Sequence, residues 1–399
     1  MNELVRLPEA KIKRAILHPE SEIRLTAVGY FADSQSSDPE IMPLLIEAVE
    51  KYGRDSSFRL LRDAEHLGQT ANTLDWLINE LSRDFDTDDI DADNLRFALG
   101  LIVVAAPIDL IGKRKQDIDR LASFPAELRG PLDERLQMAC WGWEKCWEAL
   151  EELGRRTMRN GDLTANEGRY ASRIIESLAR FHEEREGLVL GLLQRKCPPK
   201  SRRLMKWLEP EIIKLAGEMR LKSAIPILIG HLHSDEDSLI DAAEIALMTI
   251  GTDAVVEAIA GDWWEASDDF RSAAADILEK IHSDQCVEEC LDFLEFEDEL
   301  ETAVILGHAL LSHFAFEGME PVQEFFTIEE DEWSVEHLDL LYHFVASATI
   351  MEITFPEYEH WFQEAQGSNW GWDNCERPRL ADAFQSDSIG PMASENGKG

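Results

Sequence analysis

The sequence predicts an all-α protein, an α-solenoid of stacked helical hairpins with no substantial sheet. Three observations predict it. "DSLIDAAEIALMTIGTDAVVEAIA" (Asp237–Ala260) repeats as "DDFRSAAADILEKIHSDQCVEECL" (Asp268–Leu291) after a shift of 31 residues. Leu and Ile recur at 3–4 spacing within each copy, the period of an amphipathic helix. No stretch sustains the alternation of period two, bounded by tight turns, that a sheet requires.

The repeat justifies its own elements. Asp237 meets Asp268, Ala242-Ala243 meets Ala273-Ala274, Leu247 meets Leu278, Ile250 meets Ile281, Asp253 meets Asp284 and Val256 meets Val287. The paired alanines let neighbouring helices approach. An Asp or Ser stands where each helix begins, suiting the N-cap and the positive end of the helix dipole. One such hairpin cannot bury its own apolar face, so copies must stack. A looser copy follows at Asp298–Phe326 with a longer inter-helix turn, and His18–Val49 has the same grammar.

Between these units the pattern degrades. The chain divides into N-terminal helical hairpins (1–82), a divergent helical region (83–168), a helical segment with a basic, proline-broken linker (169–222), acidic repeats (223–366) and an irregular tail (367–399). "FALGLIVVAAPIDLIG" (Phe97–Gly112) is too short for a membrane span and contains Pro107 and Asp109, so it reads as a buried core helix. Arg83–Asn94 reads as an acidic loop, and Leu121–Leu132 as a helix broken twice by proline. Pro131–Arg156 reads as one helix with Trp143 and Trp147 on its aromatic face, and Arg159–Gly168 as a turn-rich connector.

"SAIPILIGHLHSDEDSLIDAAEIALMTIGTDAVVEAIA" (Ser223–Ala260) resembles a HEAT repeat of the short bacterial type, the kind also found in phycobilin-lyase-like proteins, and Leu17–Val49 is similar. The resemblance implies an architecture of stacked helices. Lyase activity is not carried over, because the repeat grammar matches but no bilin-handling residue does.

Charge is the strongest compositional feature. The 399 residues carry a net charge of −40. Residues 223–399 hold 40 Asp and Glu against 5 Lys and Arg, a balance of −35, whereas residues 1–222 hold 39 against 34, a balance of −5. Such a field repels phosphate backbones, so the acidic half should not bind DNA or RNA directly. Six scattered cysteines and an N-terminus without an apolar signal region point to reduced thiols and a cytoplasmic location.

In "HLHSDED", His231, His233 and the acids Asp235 and Glu236 fall at the turn between two helices, with Ser234 or Asp235 as the cap; the second copy has no histidine at the equivalent places. Cys286 and Cys290 match Val255 and Ile259, so they read as buried thiols rather than zinc ligands. The loop from Asp84 has acids at the first, third and fifth EF-hand positions (Asp84, Asp86, Asp88). It fails with Asp89 at the sixth and Leu95 at the twelfth. His308, His313, His337 and His343 sit among apolar neighbours and read as packed histidines. No nucleophile elbow, phosphate loop or metalloprotease motif is present. The sequence therefore names no catalytic residue, cofactor or metal.

The function expected is non-enzymatic: an interaction scaffold whose acidic solenoid surface binds a basic partner protein or peptide. Trp263 and Trp264 open the second copy, and both cannot face inward from a turn, so one ring should serve as an anchor. With Asp235, Glu236, Asp268, Asp269, Glu297, Asp298 and Glu299 they form the candidate partner surface. Arg195, Lys196, Lys200, Arg202, Arg203 and Lys206 form one basic patch. A lyase-like or other small-ligand enzyme using the solenoid groove is the first alternative. A nucleic-acid mimic that occupies a DNA- or RNA-binding protein is the second.

Overall fold

The structure is a computed structural model, and it describes residues 4–54, 57–161, 163–195, 202–327 and 335–367. Among them are 21 α-helices and no strand, the nearest approach to a sheet being a single antiparallel bridge between Arg6 and Ala315. The first eight helices are α1 (Glu9–Ala15), α2 (Ser21–Asp33), α3 (Ile41–Tyr52), α4 (Phe58–Arg62), α5 (Ala71–Glu80), α6 (Ile90–Ala105), α7 (Ile108–Arg120) and α8 (Ala126–Met138). There follow α9 (Trp143–Asn160), α10 (Ala165–Ala179), α11 (His182–Leu193), α12 (Arg202–Glu218), α13 (Ile225–Leu232) and α14 (Asp237–Ile250). The remainder are α15 (Asp253–Asp262), α16 (Asp268–Lys280), α17 (Asp284–Phe296), α18 (Leu300–Ser312), α19 (Met319–Glu324), α20 (Val335–Met351) and α21 (Tyr358–Gly367). No helix among the described residues is long and apolar enough to cross a membrane.

Local chemistry sets the helix ends. Thr70 and Thr164 form capping boxes with Thr73 and Glu167, each satisfying two backbone N–H groups. In the acidic repeats the caps are Ser267 and Ser283, whose hydroxyls accept from the Phe270 and Cys286 N–H groups. The repeated Asp268 and Asp284 stand one residue further in, where a carboxylate meets the dipole. At the other end of α14, Gly251 adopts φ +54°, and its N–H closes on Leu247 O.

Several boundaries differ from the sequence expectation. The stretch expected as one helix over Pro131–Arg156 is two, because the chain turns at 139–142 and restarts after Gly142 in extended conformation. Pro125 starts α8, and Pro131 lies within it without ending it, although its ring removes one backbone bond and crowds the carbonyl four residues back. The acidic loop is shorter than expected: Asp89 caps α6 through the Asp91 N–H, so residues from Ile90 onward are helical. Pro107 divides the apolar run, ending α6 at Ala105 and opening α7.

The hairpins stack so that even-numbered helices form one row, each packing on the next from α2 to α20. Odd-numbered helices form a second layer, as in α3–α5–α7 and α13–α15–α17. An extended array would leave its two ends apart. Here α20 packs on α2, so the even-numbered row closes into a ring of ten helices. One apolar cluster runs through it from Leu7 to Ala365. Close approach is greatest between α12 and α14, where a side chain on Gly217 would meet the Ala246 backbone at 2.5 Å.

Candidate partner-binding groove and closure seam

The two tryptophans divide as their position at a turn requires. Trp263 is 1% exposed and lies flat on Phe293, ring centroids 4.0 Å and planes 3° apart. This corrects its place among the partner residues: a ring buried in the core cannot meet a partner. Trp264 is 59% exposed and meets Phe296, itself 67% exposed, edge-on at 5.9 Å.

Beside Phe296, a groove of about 750 Å³ runs between α17, α18 and α19. Its floor is apolar: Leu291, Leu294, Leu300, Ala303, Pro321 and Phe325. Its walls carry Asp292, Glu295, Glu297, Asp298, Glu299, Glu317, Glu320 and Glu324, and no Lys, Arg or His lines it. Three of these acids also hold the fold. Glu297 pairs with Arg271 at 2.9 Å, Glu299 caps α18 by accepting from the Glu301 and Thr302 N–H groups, and Glu317 accepts from the Val5 N–H. Asp298 is exposed at this rim. The structure thus brings Trp264, Asp298 and Glu299 to one edge of the solenoid, whereas the Glu297 carboxylate is buried against Arg271, which corrects its place among the partner residues.

The remaining expected acids lie elsewhere. Asp268 pairs with Arg271 at 2.7 Å, and Asp269 is exposed beside it. Asp235 and Glu236 lie at the turn after α13. There the cap differs from expectation: Glu236 occupies the N-cap position without a side-chain bond, and Ser234 Oγ instead accepts from its N–H. His233 stacks on Phe270 at 4.3 Å, with its Nε2 3.3 Å from Asp262. His231 sits in the last turn of α13, its pKa lowered by burial.

Glu236 also meets the basic patch, since Lys206 bonds it at 3.2 Å while Arg195 bonds Glu209 at 3.0 Å. The patch is therefore partly neutralised by carboxylates, and Arg203 is exposed. Lys196 and Lys200 lie outside the described residues, and Arg202 begins α12.

Sequence reasoning missed the seam, where α2 packs on α20 and its end also reaches that of α16. Lys280 lies between Asp33 of α2, at 3.2 Å, and its neighbour Glu279, at 3.0 Å. Burial alone would lower the Lys280 pKa, but the two carboxylates raise it above its ordinary value. Burial alone would likewise raise Glu279, yet Lys280 holds it below the usual range. Burial pushes Asp33 up despite Lys280. Ser312 donates to Glu279, and His308 and His343 pair through their Nδ1 atoms at 3.0 Å. Burial holds His343 at about 3, so that imidazole is neutral at pH 7.

The inner row carries further displaced acids. Glu244 in α14 is raised to about 7 by burial and by Asp276 and Asp241; Asp276 in α16 is raised to about 6 by burial and by Glu279. Acids flanked by core alanines, as in Ala242-Ala243-Glu244 and Ala274-Ala275-Asp276, were the available signal. They sit inside the helix rather than at its capped start.

No protein-family model matches the chain, and no curated protein matches it. Among solved structures it is similar to an engineered protein from the Northeast Structural Genomics Consortium. The identity is 12% and the TM-score 0.31, over 88% of this chain and 100% of that one.

Proposed function

We propose that the protein is a non-enzymatic interaction scaffold that grips a basic, amphipathic segment of a partner protein in the groove between α17 and α19. One observation carries this reading: the groove is lined by eight acidic and six apolar residues and by no Lys, Arg or His, although Arg271 pairs with Glu297 from outside the lining. An apolar floor supplies burial for one face of the segment, and the acidic walls select Lys and Arg on its other face. Exposed Trp264 and Phe296 extend the contact beyond the groove. The four described cysteines are free, which suits a reducing compartment such as the cytoplasm.

The test is fluorescence anisotropy with a panel of labelled helical peptides bearing a Lys/Arg face and a Leu face. Binding should weaken with salt and fall at least tenfold in the charge-reversal variant Glu295→Lys/Glu320→Lys. Scrambled peptides of equal charge should bind less well, because they lose the apolar face. Equal binding by the variant and the parent would refute the proposal.

A further inference from the structure

The core between α17 and the end of α18 holds a side-chain set that partner binding does not use. Cys286 and Cys290 stand one turn apart on α17, and His313 follows α18 directly. All three are at most 1% exposed, and their ligand atoms lie within 4.8 Å of one another. His313 Nε2 is 3.1 Å from Leu278 O, so this nitrogen carries the proton and donates. Its Nδ1 is left with a buried lone pair and no partner. His282 lies alongside, stacked on Tyr30 at 4.3 Å, with its ring centre 5.2 Å from that of His313. Neither of its ring nitrogens has a partner.

Three imidazole nitrogens without a hydrogen bond are a poor composition for a dry core, where polar atoms are normally satisfied, as the Cys286 thiol is by donating to Leu278 O. The preceding repeat builds the same layer from Val255 and Ile259, at the places of Cys286 and Cys290. We propose that Cys286, Cys290 and His313 bind a zinc ion, with His282 as the fourth ligand. Zinc takes four nitrogen and sulfur ligands, at about 2.3 Å to sulfur and about 2.0–2.1 Å to nitrogen. Tetrahedral ligands at those lengths lie roughly 3.3–3.8 Å apart, so the three clustered atoms need only a modest contraction, while His282, which lies outside that cluster, must turn toward them.

The donor set decides the metal. It holds no oxygen ligand for calcium or magnesium, and soft thiolates favour zinc. Binding breaks two S–H bonds, forms two Zn–S bonds and releases two protons to solvent, with no change of oxidation state. Two thiolates and two neutral imidazoles around Zn²⁺ carry no net charge, as an apolar core demands. The bond from His313 to Leu278 O is the outer contact that orients a metal-binding imidazole. Bound there, zinc would join the α16–α17 turn to the end of α18. Arg6 reaches the same two points, through His282 O and His313 O, from the N-terminal side of the seam.

The test uses the full chain produced in minimal medium with Zn²⁺ or Co²⁺, so that the buried ligands are metallated during folding. Purified protein should hold one metal per chain, and the cobalt form should show a thiolate-to-cobalt charge-transfer band. Cys286→Val/Cys290→Ile, which restores the residues of the preceding repeat, should lose both. His282→Gln should keep the band but release cobalt to a chelator at least tenfold faster. Should the double variant fail to fold, thiol alkylation in urea decides: the metal-loaded chain should be modified more slowly at Cys286 and Cys290, but not at Cys140, than a chelator-treated control on peptide mapping. A parent without the band, equal metal content in the folded double variant, or thiols that zinc does not protect would each overturn the proposal.

Discussion

Lys280 Nζ lies 3.2 Å from Asp33 Oδ2, which ties the end of α16 to the end of α2 beside the closure that α20 makes. The same ammonium meets Glu279 at 3.0 Å, so it answers two partly buried carboxylates at once. Lys280→Met should cost about 1–3 kcal/mol in urea unfolding, because it strands both charges. Adding Asp33→Asn should recover part of that loss. A melt unchanged in Lys280→Met would mean that the seam is held by packing alone.

The inner-row acids make stability fall with rising pH. Glu244 is raised from 4.5 to about 7 by burial and by Asp276 and Asp241. Between those values the native chain holds a proton that the unfolded chain has released, so unfolding becomes easier as pH climbs through the window. Glu244→Gln removes the penalty. It should gain about 1–2 kcal/mol at pH 8 after discounting for partial solvation, and gain nothing below pH 4.5. Parallel stability curves for parent and variant would contradict this.

Neighbouring tryptophans should behave oppositely. Trp263→Ala empties a site stacked on Phe293 and should cost about 3–5 kcal/mol. Trp264→Ala removes a mostly exposed ring and its edge-to-face contacts with Phe293 and Phe296, and should cost about 1–2 kcal/mol. Its effect should be on peptide affinity, so thermal melts and anisotropy together separate the two roles.

Gly217→Ala should also destabilise, against helix propensity. The new methyl would sit 2.5 Å from Ala246 Cα, forcing α12 from α14 at a cost of about 1–3 kcal/mol. Gly168→Ala in α10 meets nothing within 4 Å and should gain up to about 1 kcal/mol. Both are read from the same denaturation series.

The hairpins were legible because each carries its own instruction. Ala242-Ala243 and Ala273-Ala274 mark the faces that neighbours approach, and all four are buried. The division of labour between Trp263 and Trp264 followed from a turn having only one inner side. The break before Trp143 was not legible: the apolar spacing continues through 139–142, and only the extended backbone of Gly142 interrupts it. The seam was hidden for another reason. Periodicity says that α2 and α20 each have an apolar face, but not that these faces meet. Acids such as Glu244 were overlooked because a net charge of −40 makes any one carboxylate unremarkable by composition.

Closure of the helical row has a consequence for biosynthesis. An open array could settle hairpin by hairpin as it leaves the ribosome, every unit resting on the one before. Here α2 meets its second neighbour only after α20 has been translated, some 300 residues later, roughly 15–60 s at ordinary elongation rates. Through that interval its apolar flank is bare, so nascent-chain chaperones should be needed most at the beginning of this polypeptide, well away from its acidic half.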